Sequence, residues 1–169
     1  IYSIERIVNG TANCILSKMS DEHYSFDLAL KEAQEKDFAE ADPTFNVEGI
    51  DSAHKIALLS QLAYGTSVKF EDITIQGISS VTIHDIECAR ESGYRVKLLA
   101  ISKLDGDFVD IRIHPAMIPQ SNPMANVNGV INAVRVCDDL MEDTILIGHG
   151  AVSLPTGSAV MADIIEIGR

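Results

Sequence analysis

Basic residues are scarce: 13 Lys and Arg stand against 25 Asp and Glu in 169 residues, a formal net charge of −12. A surface of that sign repels phosphate backbones and acidic membranes, so nucleic acid is excluded as a natural partner. No apolar run reaches the roughly 18 residues that a membrane-spanning helix needs, so no membrane is expected. Cys14, Cys88 and Cys137 are odd in number and far apart, which fits reduced thiols in a cytoplasmic protein better than a disulfide framework. There is no G-x-x-x-x-G-K-[ST] loop and no G-x-S-x-G elbow, which removes the carriers of P-loop and α/β-hydrolase chemistry. His23, His54, His84, His114 and His149 are scattered, without H-E-x-x-H or a neighbouring cysteine pair, and no metal site is expected. Gly148-His149-Gly150 supplies two glycines of a dinucleotide fingerprint. Ser153 holds the third place and Pro155 follows where a helix should already run, so a Rossmann cofactor site within this chain is not expected.

What is present reads as one globular domain over residues 1–169, with 46% hydrophobic and 22% charged residues, values near the average for packed proteins. The chain starts at Ile1 without Met and ends at Arg169, and we expect it to be part of a longer protein. Alternation predicts a strand over Ile1–Val8, and Asn9-Gly10-Thr11 a turn into a helix from about Ala12 to Met19. Ser25 is the expected N-cap of a second helix reaching about Lys36. Phe38 to Gly49 has no period, contains Pro43 and reads as a loop. Apolar spacing predicts a helix over Ile50–Tyr64 stopped by Gly65, and Thr82 with Asp85 has capping-box spacing for a helix ending near Gly93. Val160 to Ile167 is periodic again, with Gly168 as a helix stop.

The period then becomes two. Tyr94–Leu104 and Phe108–Met117 flank Asp105-Gly106, a hairpin signal, and Asn128–Cys137 with Thr144–Ile147 make a second pair around Asp138-Asp139. The expected fold class is α+β: a mixed, mostly antiparallel sheet of about five or six strands with helices on one face. Strands apolar at both parities, such as Val96-Lys97-Leu98-Leu99-Ala100-Ile101, need cover on both sides. The expected partner is a second copy, a homodimer joined through Leu98–Ile113 and Val130–Val136. Cys14, Cys88, Met117 and Met124 are assigned to packing.

The densest chemistry lies in Glu40-Ala41-Asp42-Pro43-Thr44-Phe45-Asn46-Val47-Glu48-Gly49-Ile50-Asp51-Ser52-Ala53-His54-Lys55. On one reading Asp51 is a helix N-cap or first-turn acid, Lys55 its i,i+4 ion-pair partner, and the rest a solvated loop. On the other, carboxylates from loop and helix grip an ammonium while Lys55 handles a proton. Spacing alone leaves both open.

This segment resembles the E-A-D-P-x-x-D-V-x-G-x-D-x-x-x-K substrate motif of the homoserine dehydrogenase family. Asn9-Gly10-Thr11-Ala12-Asn13-Cys14-Ile15-Leu16 is similar to its N-G-T-x-N-Y-I-L, and Gly93-Tyr94-Arg95-Val96-Lys97-Leu98-Leu99 to its G-Y-x-I-K-L-L. His114-Pro115 with Ile118-Pro119, Asn132-Ala133-Val134, and Leu154-Pro155-Thr156-Gly157-Ser158-Ala159-Val160 resemble further family elements in the same order.

The resemblance implies the substrate-binding and dimerising domain of an enzyme that interconverts L-aspartate 4-semialdehyde and L-homoserine, in the biosynthesis of threonine, methionine and isoleucine. The cofactor implied, NAD(P), is bound mainly by an N-terminal Rossmann domain absent from this chain, which also carries a second catalytic lysine. The fragment alone is therefore expected to be inactive. Matched to the motif, Lys55 is the implied proton donor, and Glu40 and Asp51 bind the amino-acid part of the substrate. Thr11 assists at the mouth of a turn; an ordinary turn or N-cap role remains open for it. Asn46 belongs to the same substrate-binding set but stands where the family usually has Asp. Phe38 replaces a Tyr of some members. Val152 and Ser153 interrupt a G-A-G-G run and His149 replaces a Pro, leaving Gly148 and Gly150 as cofactor-side residues, or as a plain sheet-to-helix turn. A non-catalytic amino-acid-binding dimerisation module, or a scaffold whose sheet face binds another protein, is the alternative.

Overall fold

The computed structural model describes residues 1–106, 108–150 and 153–168. The chain opens with β1 (Ser3–Ile7), α1 (Gly10–Glu22) and α2 (Phe26–Glu35), then a single turn, α3 (Thr44–Val47), and α4 (Ile50–Tyr64). A two-residue strand β2 (Thr74–Ile75) and α5 (Ile83–Glu91) lead into the long strands β3 (Tyr94–Asp105) and β4 (Phe108–Pro119). A 3₁₀ turn over Pro123–Asn126 precedes β5 (Ile131–Asp138), β6 (Glu142–His149) and α6 (Ser153–Ile167).

Local chemistry sets most of these boundaries. The Ser25 side chain accepts from the Leu28 N–H, and Thr82 and Asp85 form a reciprocal capping box, so both helices start where hydroxyls can take up free N–H groups. Gly65 ends α4 at φ 65°, a left-handed conformation that suits glycine. Helix α1 runs three residues beyond its expected end, through Glu22, where the Lys18–Glu22 pair at 2.6 Å adds i,i+4 support. The segment expected to be all loop contains α3. A lone turn has no period to read, but it starts because the Asp42 carboxylate accepts the Thr44 N–H at 3.1 Å.

The six strands lie in the order β2-β4-β3-β1-β5-β6, with β2–β4 the parallel pair. Strand alternation then divides the core in two. Ile4, Leu98, Ala100, Ile111 and Ile113 face Ile15, Leu16, Met19 and Ile56 on the helices. Burial of each such side chain is worth roughly 1.5–3 kcal/mol. On the opposite face Ile7, Leu99 and Ala133 pack with Met124, Ala125 and Val127 from the 3₁₀ turn and its exit. That short segment gives part of the second face a cover that the sequence did not reveal. The residues expected at a dimer contact are accordingly split: Leu98, Ala100, Ile111 and Ile113 are under helices, while Ile101 and Ile131 lie partly buried on the open face, beside Ile145 of β6. Cys88 and Met117, expected to pack, are exposed instead. Helix α6 projects Leu154, Val160, Met161, Ile164, Ile165 and Ile167 into solvent.

Candidate active site

The site is built where β1 runs into α1 and meets the start of α4. Gly49 turns the chain from α3 into α4 at φ 81°, and a Cβ there would come within 2.9 Å of Ile113 Cγ2. The position therefore needs glycine both for its backbone and for its packing. The turn sets Asp51 in the first turn of α4 and Lys55 one turn further on. Lys55 Nζ donates to Asp51 Oδ2 at 2.7 Å and to the Val8 carbonyl at 3.2 Å. Asn9, buried at the end of β1, donates its amide to the same Asp51 Oδ2 at 2.9 Å and to Asn46 Oδ1 at 2.6 Å. Its own Oδ1 caps α1 by accepting from the Ala12 N–H at 2.8 Å. Arg6 donates to the Lys55 carbonyl at 3.2 Å while its Nε is buried without a partner among the described residues. Burial lowers the pKa of this guanidinium, with the Asp51 charge opposing the shift. Phe45 stacks on His54 with ring centroids 5.8 Å apart and His54 on Phe70 at 4.4 Å, which pins α3, and with it Asn46, against α4.

Of the residues singled out in the sequence, Asn46, Asp51 and Lys55 thus come together. Thr11 is adjacent but occupied differently: its hydroxyl donates to the Phe38 carbonyl at 2.6 Å, tying down the loop that carries Glu40. Gln34 holds the same loop through the Glu40 and Ala41 carbonyls. The Glu40 side chain itself is exposed and makes no hydrogen bond or ion pair with the cluster among the described residues. Gly148 and Gly150 lie at the exit of β6, where Asn132 pairs with Gly148 and Ile131 with His149. A Cβ at position 150 would overlap the Asn132 amide, whose Oδ1 is buried without a partner among the described residues. This corner connects to α1, because a Cβ on Gly10 would come within 3.3 Å of the Val130 carbonyl. Val152 lies outside the described residues, and Ser153 opens α6.

Two participants were not legible as such in the sequence, Asn9 and Arg6, and a further buried polar residue, Lys97, lies outside the cluster. Lys97 is only 1% exposed, and its Nζ donates to the Val127 carbonyl, Asn128 Oδ1 and Asn13 Oδ1 at 2.6, 2.9 and 3.1 Å. Burial, with help from Arg95 and against Asp21, brings its pKa down to about 7. Its signals in the sequence were a lysine beside the apolar run Leu98-Leu99-Ala100-Ile101 and its place in the family-like element over residues 93–99.

The homoserine dehydrogenase family model matches residues 1–165. The chain belongs to this family. It is 50% identical to the homoserine dehydrogenase of Neisseria gonorrhoeae over 169 residues, all of this chain and 39% of that protein. The crystal structure of a homoserine dehydrogenase from Thiobacillus denitrificans superposes with a TM-score of 0.96 at 47% identity, covering 99% of this chain and 39% of that one. A hyperthermophilic archaeal homoserine dehydrogenase, solved in complex with NADPH, gives 0.81 at 30% identity, covering 98% and 47%. The chain therefore spans less than half the length of these relatives. Asn46, set against an Asp by the motif resemblance, offers an acceptor oxygen to Asn9 at 2.6 Å.

Proposed function

We propose that this chain is the substrate-binding and dimerising part of an NAD(P)-dependent homoserine dehydrogenase, interconverting L-aspartate 4-semialdehyde and L-homoserine. The observation that carries the reading is the Lys55 ammonium held at 2.7 Å by Asp51 beside Asn9 and Asn46. In the reducing direction Lys55 gives its proton to the developing alkoxide, and Asp51 keeps the ammonium oriented. Glu40 and the unshared oxygen of Asp51 attract the substrate ammonium. Thr11 and the N–H groups at the start of α1 stand on the carboxylate side. In oxidation the roles reverse, and Lys55 must first be neutral to accept the hydroxyl proton.

The nicotinamide, when bound, supplies or accepts the hydride. Gly148, Gly150 and Asn132 fit its approach: glycine at position 150 leaves the Asn132 side chain room at that corner. The open sheet face, with Ile101, Ile131 and Ile145 partly buried and Ile147 exposed, supports a homodimer. Function in the cytoplasm and on the threonine, methionine and isoleucine routes follows from the same reading. No helix among the described residues is long and apolar enough to cross a membrane.

The test is homoserine oxidation by the full-length enzyme and by residues 1–169 alone. Turnover and a dimeric mass for the full-length protein, with none for the shorter chain, agree with the proposal. Turnover by the 169 residues would refute the division of labour. Homoserine binding that never leads to hydride transfer in the full-length protein would favour the amino-acid-binding module.

A further inference from the structure

We propose that Asn9 is a positioning residue for the reaction, acting through Asp51 on the Lys55 ammonium; the inference rests on the homoserine dehydrogenase reading above. Asn9 is 5% exposed and spends every polar atom of its side chain at a junction of three helices. Oδ1 accepts the Ala12 N–H at the start of α1, while Nδ2 donates to Asn46 Oδ1 on α3 and Asp51 Oδ2 on α4. An amide is required for this set, because one end must accept and the other must donate twice. The carboxylate rotamer of Asp51 is thereby fixed by a group outside its own helix. Because Asp51 Oδ2 is shared between Asn9 and Lys55, the direction of the ammonium is fixed with it. The backbone joins in: Lys55 Nζ also donates to the carbonyl of Val8, the residue before Asn9. One turn of chain at the end of β1 therefore holds both the lysine and its counter-ion.

Two substitutions separate this role from helix capping. Asn9→Ser keeps a good N-cap acceptor but is too short to reach Asp51 and Asn46. Asn9→Asp keeps the cap and the reach but turns the donor into a second acceptor beside Asp51. Among the described residues Asp51 from α4 is the charged group bonded to Lys55 Nζ, Arg6 from β1 donates to the Lys55 backbone carbonyl, and neutral Asn9 links Asp51 to Asn46. A carboxylate at position 9 favours the protonated lysine, so the alkaline limb of homoserine oxidation should move to higher pH.

In the full-length enzyme we expect Asn9→Ser to lower kcat for homoserine oxidation by about ten- to a hundredfold, the scale of loss from a misplaced reacting group, with KM changed less and the melting temperature nearly kept. Asn9→Asp should show the displaced limb. A purely structural asparagine would lower melting temperature in both variants and leave kcat and the pH profile at wild-type values, which overturns the proposal. Lys55→Ala measured alongside distinguishes the two levels. If it retains near-normal kcat, the parent reading fails. If it loses activity while both Asn9 variants keep theirs, Asn9 alone is dismissed.

Discussion

Lys55 reaches Asp51 across one helical turn at 2.7 Å, and its half-exposed ammonium also donates to the Val8 carbonyl at 3.2 Å. The first contact alone would suit an ordinary i,i+4 surface pair, worth about 0.3–0.5 kcal/mol. The second draws the lysine toward β1 and the start of α1, where Asn9 and Thr11 converge. In the full-length enzyme Lys55→Ala should lower kcat by about a hundredfold or more, since positioned general-acid catalysis contributes roughly 10² to 10⁴. The surface-pair interpretation predicts unchanged kcat and a small shift in urea midpoint, so steady-state rates beside unfolding curves decide between them.

Glu40 behaves differently. Its side chain is exposed and unpaired among the described residues, on a loop fastened by Thr11 and Gln34 through backbone carbonyls. Truncation leaves those fastenings intact. Glu40→Ala should therefore raise the KM for homoserine more than it lowers kcat, with unfolding unchanged. A kcat loss as large as that of Lys55→Ala at constant KM would contradict a role in holding the substrate ammonium.

At position 46 the family's usual aspartate can be restored without disturbing the geometry, because a carboxylate oxygen there would accept from Asn9 as Asn46 Oδ1 does at 2.6 Å. The added charge favours an ammonium nearby, whether that of the substrate or of Lys55. Asn46→Asp should tighten homoserine binding and move the alkaline limb of oxidation to higher pH. Titration of homoserine binding and a pH series of kcat/KM check both, and weaker binding with an unmoved limb would place residue 46 outside the substrate's reach.

Much of this was legible in the chain because it was local. Ser25, the Thr82/Asp85 box, Gly65 and the hairpin strands on either side of Asp105-Gly106 act within a few residues, and each lies where its chemistry requires. The motif that carries Asp51 and Lys55 was readable for the same reason. Asn9 was not: as a turn residue it looked complete, and its partners at positions 46 and 51 are joined to it only by the packing of α3 and α4 against the end of β1. The cover that Met124, Ala125 and Val127 give to the second sheet face was hidden likewise, since four residues of 3₁₀ turn have no hydrophobic period. Cys88 and Met117 are apolar without being buried, because Cys88 on α5 and Met117 on β4 line an open cleft between that helix and the sheet.

Lys97 yields a prediction about stability rather than turnover. Its side chain ties β3 to the strap between the 3₁₀ turn and β5, and Asn13 reinforces the strap by donating to the carbonyls of Val127, Gly129 and Ile131. In the fold its pKa is pulled down from 10.5 to about 7 by burial. The unfolded chain therefore binds a proton that the folded chain has released, and it does so across the window from about 7 to 10.5. Stability gained from this group must rise with pH through that window and be flat below it. Lys97→Met removes the titration and leaves the Val127 carbonyl, Asn13 Oδ1 and Asn128 Oδ1 without their donor, so the variant should be less stable at every pH. The distinguishing feature is the gap between the two proteins in the full-length enzyme. Followed by urea unfolding at intervals from pH 6 to about pH 9.5, the wild type should gain on Lys97→Met steadily above neutrality. A gap that stays constant across the series would mean that Lys97 keeps its proton in the fold, held by its three acceptor oxygens, and that burial does not govern its charge.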